Sequence, residues 1–92
     1  MADSREHWLF TGEVQGVGFR YELVMEAKRL GICGWVRNLE TGQVEAIVQG
    51  PKIKVDQLRA YITNPREYYI KELDIQSLPL EEECHDFKVF YY

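Results

Sequence analysis

Positive charge is what this chain is short of: 11 Lys and Arg stand against 15 Asp and Glu, a formal net charge of −4. That balance argues against a protein whose affinity comes from neutralising many nucleic-acid phosphates, although it leaves room for one local basic site. No apolar run approaches the length of a membrane span. The polar opening Met1-Ala2-Asp3-Ser4-Arg5-Glu6 does not read as a secretory signal. The expectation is a cytoplasmic protein with no membrane or nucleic-acid partner. Cysteine and histidine are scarce too, two of each. Cys33 and Cys84 lie far apart, show no metal spacing, and have only His7 and His85 for company. Neither a metal nor a cofactor is expected. In a reducing compartment the two cysteines are expected as reduced thiols, at least partly buried. A disulfide between them stays open if the last strand lies beside the one that holds Cys33.

What is present is enough for one small domain over residues 1–92, with 46% apolar and 28% charged residues. No linker, repeat or low-complexity segment divides it. Its most informative stretch is Gly12-Glu13-Val14-Gln15-Gly16-Val17-Gly18-Phe19-Arg20. Glycines at 16 and 18 let a strand-to-helix junction fold tightly, so that backbone N–H groups converge. The helix start beyond them adds unpaired N–H groups and the positive end of its dipole. Arg20 adds a two-pronged donor for oxyanions. Together they read as a cradle for one phosphoryl group.

Periodicity supplies the frame. Trp8, Phe10, Gly12 and Val14 alternate along a strand over His7–Val14. Phe19, Leu23, Ala27 and Leu30 fall at helical spacing, and Gly31 fits the helix stop. Strands over Ile32–Leu39 and Gln43–Gln49 flank a Glu40-Thr41-Gly42 hairpin. Gly50-Pro51 opens a second helix with Pro51 in its first turn; Val55, Leu58 and Ile62 form its stripe, and Asn64-Pro65 ends it. Tyr69–Leu78 and the Phe87, Val89, Tyr91 alternation are the last strands, and each tyrosine pair (68–69 and 91–92) is expected to point one ring in and one out. The order predicts an α+β, ferredoxin-like split βαβ fold, a βαββαβ unit plus a short terminal strand, with both helices on one face of a mostly antiparallel sheet. Trp35 is expected in the core.

Gly12–Arg20 resembles the acylphosphatase signature G-x-V-Q-G-V-x-F-R. Gly34-Trp35-Val36-Arg37-Asn38, then Gly42-Gln43-Val44, is similar to a second block of that family. Val48-Gln49-Gly50-Pro51 and the aromatic stretch Phe87-Lys88-Val89-Phe90-Tyr91 match two more. The resemblance runs over nearly the whole chain. It implies hydrolysis of the carboxyl-phosphate bond of a small acyl phosphate. It also implies a phosphate-binding set of Gln15, Gly16, Val17, Gly18, Phe19 and Arg20, with Arg20 and Asn38 as the catalytic pair. Arg20 would hold the phosphate and Asn38 would orient water. A carboxylate leaves without needing a proton, so a metal-independent ring of donors suffices. The expected unit is a monomer.

Two other readings compete. One is a binding module that keeps the cradle without turnover, against which Arg20 and Asn38 both speak. The other is an RNA-recognition domain of the same element order. That reading lacks stacking aromatics in Gln43-Val44-Glu45-Ala46-Ile47-Val48. Leu39 after Asn38, and an Asn64–Tyr69 segment without the family's glycine turn, depart from the family pattern.

Overall fold

The computed structural model describes residues 2–64 and 68–91. Alternation sets its first strand, β1 (Asp3–Glu13), in which Glu6, Trp8 and Phe10 turn inward. The strand begins earlier than its hydrophobic pattern does. The reason is tertiary: Asp3 to Phe10 pair with Pro51 back to Val44 of the next-but-one strand, and this ladder recruits polar residues that have no pattern of their own. Val14 lies beyond the strand but stays buried.

Helix α1 (Phe19–Leu30) buries the expected Phe19, Leu23, Ala27 and Leu30, and Gly31 closes it in the left-handed conformation. Strands β2 (Cys33–Asn38) and β3 (Val44–Pro51) form the hairpin, with Val36, Val44, Ala46 and Val48 fully buried. Helix α2 (Lys52–Thr63) buries Val55, Leu58 and Ile62. Pro51 is the residue before this helix and the last of β3, not part of the first turn, because its Cα is still registered against Asp3. Asn64 ends α2; the expected stop at Pro65 and the reshaped turn around it lie outside the described residues. Strands β4 (Tyr69–Leu78) and β5 (Phe87–Phe90) complete the chain. Tyr68 points in and Tyr69 out, while Tyr91 is exposed and Tyr92 lies outside the described residues.

The five strands make one sheet in the order β4-β1-β3-β2-β5. All neighbours are antiparallel except β2 and β5, which run parallel. The inward strand residues and both helix stripes share a single core. A chain of edge-to-face rings runs through it: Trp8 to Phe10 at 6.0 Å, Phe10 to Phe19 at 4.8 Å, and Phe19 to Tyr68 at 4.7 Å. The buried indole N–H of Trp8 donates to Glu6 Oε1 at 2.8 Å, and Arg59 pairs with that carboxylate.

Trp35 is a correction. It is not in the core, because its neighbour Val36 takes the inward position and strand alternation sends Trp35 to the open face. There it lies against Phe90, with the Arg37 guanidinium over its ring. On the same face Glu45 meets His7 Nε2 and accepts from Arg37 Nε, both at 2.7 Å. Burial alone would raise the Glu45 carboxyl, but the bonds from His7 and Arg37 outweigh it and hold it below the ordinary value.

The cysteines are a second correction. Cys33 and Cys84 are joined by a disulfide, with Cα atoms 5.7 Å apart. Parallel pairing of β5 with β2 sets Phe87 opposite Gly34 and so delivers Cys84 to Cys33. Such a bond is at home in oxidising surroundings and rare in the cytosol, so it pulls against the reducing compartment inferred from the sequence.

Candidate active site

Three strand ends meet at one edge of the sheet. β1 and β2 both run antiparallel to β3, hence parallel to each other, and β5 runs parallel to β2. Their C-terminal ends therefore face the same way. The first leads into loop 14–18, the second ends on Asn38, and the third leads to Tyr91.

In the loop, Gly16 and Gly18 adopt φ of 75° and 81°, a left-handed backbone that side chains rarely tolerate. Gly18 is the N-cap of α1, and no side chain caps the helix. The first backbone hydrogen bond there runs from Glu22 N–H to the Gly18 carbonyl at 3.0 Å. Among the described residues, the N–H groups of Gln15 to Arg20 have no protein acceptor. A helix start in this condition favours an anion. Phe19, wedged between Phe10 and Tyr68, pins its position to the core.

Arg20 sits in the first turn of α1. Its guanidinium carbon lies 5.2 Å from the centroid of the Tyr91 ring, and among the described residues no carboxylate pairs with it. Arg20 and Asn38 line one cavity of about 230 Å³ together with Phe90 and Tyr91. Arg20 also borders an adjoining cavity of about 260 Å³ with Gly16, Gly18 and Phe19. The Asn38 Oδ1 atom is buried and, among the described residues, has no hydrogen-bond partner. Two side chains rich in hydrogen-bonding capacity thus face the same space uncommitted.

Not every expected residue is used as the sequence suggests. Val17 turns its side chain to the core. Gln15 sends its carboxamide away from the loop: Nε2 donates to the carbonyls of Leu39 at 2.8 Å and Gln43 at 2.9 Å. Only the backbone N–H groups of these two residues remain for the cradle. Tyr91 was missed as a site residue, although its place in the aromatic C-terminal block was a signal. Among the described residues no group of three or more His, Cys, Asp or Glu side chains is placed to hold a metal ion. No described helix is long and apolar enough to cross a membrane.

Comparison with known proteins identifies the family. The acylphosphatase family profile matches residues 6–89. An acylphosphatase of Pseudomonas paraeruginosa is 42% identical over 76 residues, covering 82% of this chain and 84% of its own length. One from Marinobacter nauticus is 36% identical over 89 residues, covering 96% and 97%. The crystal structure of the Bacillus subtilis acylphosphatase superposes with a TM-score of 0.89 at 29% identity, over 96% of this chain and 99% of that one. The chain belongs to the acylphosphatase family.

Proposed function

We propose that this protein hydrolyses small acyl phosphates to a carboxylate and inorganic phosphate. The N–H groups of Gln15, Gly16, Val17, Gly18, Phe19 and Arg20 take the phosphoryl oxygens, and the Arg20 guanidinium adds charge-assisted bonds. The Asn38 Oδ1 accepts from a water and aims it at phosphorus. As that water's oxygen bonds to phosphorus, the phosphorus–acyl oxygen bond breaks and the carboxylate departs with the electron pair. The water proton passes to a phosphate oxygen. The conjugate acid of the leaving group has a pKa near ~4, so no general acid is needed. The donors act chiefly by holding the group in place and stabilising charge on its oxygens. The observation that carries this reading is the shared cavity of Arg20 and Asn38, with the Asn38 oxygen buried and unpartnered.

The reading has a single copy acting on a small molecule, with no nucleic-acid partner. Phosphate release from acetyl phosphate, set beside release from an ordinary phosphate monoester, tests it. Turnover of the first and near-silence on the second is expected, since an alkoxide leaves poorly without an acid. Equal rates on both, or none on either, would overturn it.

A further inference from the structure

The cavity of about 260 Å³ beside the phosphate loop has two unlike walls. Gly16, Gly18 and Arg20 form one; Tyr21, Val24 and Val89 form much of the other, with the Tyr91 ring at its margin. Helical spacing puts Tyr21 and Val24 on one side of α1, three residues apart. Val89 of β5 and Tyr91, just past its end, border the same cavity. Tyr21 is 66% exposed and Tyr91 82% exposed, a large aromatic area left to solvent beside a site built for an anion. Among the described residues, Arg20 is the sole charged one in the lining of this cavity. The polar wall is what a phosphoryl group requires; the apolar wall answers to nothing in that group.

We propose that this apolar wall is an acyl-group subsite, and that Tyr21, Val24, Val89 and Tyr91 select acyl phosphates with apolar tails over small or hydroxylated ones. The inference rests on the hydrolase reading above and deepens it. With the phosphate on the loop amides and Arg20, the acyl chain continues along the wall, and the Tyr91 ring already stacked on Arg20 lies where the two meet. Each methylene buried there raises kcat/KM by about fourfold. A hydroxyl on the chain finds no charged partner along Tyr21, Val24 and Val89 and forfeits that gain.

The test is a series of acetyl, butyryl and hexanoyl phosphates, whose leaving carboxylates are nearly equal in basicity, with 3-hydroxybutyryl phosphate as the polar counterpart. The wild-type protein is expected to favour butyryl over acetyl phosphate by about fifteenfold in kcat/KM, two methylenes' worth, and the hydroxylated substrate to fall back towards acetyl. Tyr21→Ser and Val24→Thr should each compress the butyryl-to-acetyl ratio. Because the ratio is taken on one preparation, a loss of folded protein cancels from it. A flat series in the wild type, or an unchanged ratio in both variants, would overturn the subsite while leaving the hydrolase reading standing. Failure to hydrolyse any of the four would remove both.

Discussion

Gln15 is tied to Leu39: the carboxamide nitrogen of the loop residue donates to the backbone carbonyl that directly follows Asn38, at 2.8 Å. The same nitrogen reaches the Gln43 carbonyl, so one side chain fastens the phosphate loop to the mouth of the β2–β3 hairpin. Gln15→Ala removes both of these bonds, leaving the two carbonyls only their backbone donors from Gly42 and Leu39, and frees the loop to drift from Asn38. A neutral hydrogen bond contributes about 1 kcal/mol, so a stability loss of about 1–2 kcal/mol is expected by urea unfolding. Turnover should fall further than that loss explains, because small misplacements cost heavily in phosphoryl transfer.

Arg20→Ala should abolish acyl-phosphate hydrolysis and weaken inhibition by inorganic phosphate together. Asn38→Ala should lower kcat by about a hundredfold or more while phosphate still inhibits, since the loop amides and Arg20 remain. Steady-state kinetics with phosphate as inhibitor separates the two roles. An Asn38 variant at parental rate would refute water positioning. Activity in both the wild type and Asn38→Ala should be insensitive to a strong chelator.

Cys84→Ser opens a link between residues 51 apart in the chain. Loop entropy puts its contribution at about 4 kcal/mol, and strain commonly trims such values to about 2–4. Unfolding curves of the wild type with and without a reductant should differ by that amount, whereas the variant should ignore the reductant. Thiol titration of the purified native protein should find no free cysteine. Two titratable thiols would restore the reducing-compartment expectation.

The lowered carboxyl of Glu45 makes stability depend on acidity. A depressed folded value means that the unfolded chain takes up its proton first, at about pH 4.3. The stabilisation is therefore complete above that point and drains away as the pH falls through the lower folded value. Glu45→Gln should be less stable than the wild type near neutrality, and the two should converge under strong acid. Urea midpoints measured across that range check the sign. A gap that widens with acidification would contradict it.

Much of the fold was legible because its signals are local. The α1 stripe, the Gly31 stop, the hairpin and the limits of β4 all follow from spacing within a dozen residues. What was missed depends on partners remote in sequence. The early start of β1 and the position of Pro51 come from their mutual pairing, and the disulfide from the parallel seating of β5. The face taken by Trp35 is fixed by strand register, which composition does not reveal. The candidate site divides the same way. The loop glycines, Arg20 and Asn38 carry their chemistry in their residue types. The Gln15 tether and the Tyr91 ring over Arg20 arise only once three strand ends converge.

The outermost position of β4 has a consequence for how molecules of this protein behave in a crowd. Ten residues long and paired on one side only, this strand offers its free backbone as a template for a neighbouring chain. Exposed Lys71, Glu72 and Asp74 interrupt that invitation with charges that a docking strand would have to strip of water. Neutralising them would open that edge to pairing and precipitation without altering the phosphate loop, Arg20 or Asn38.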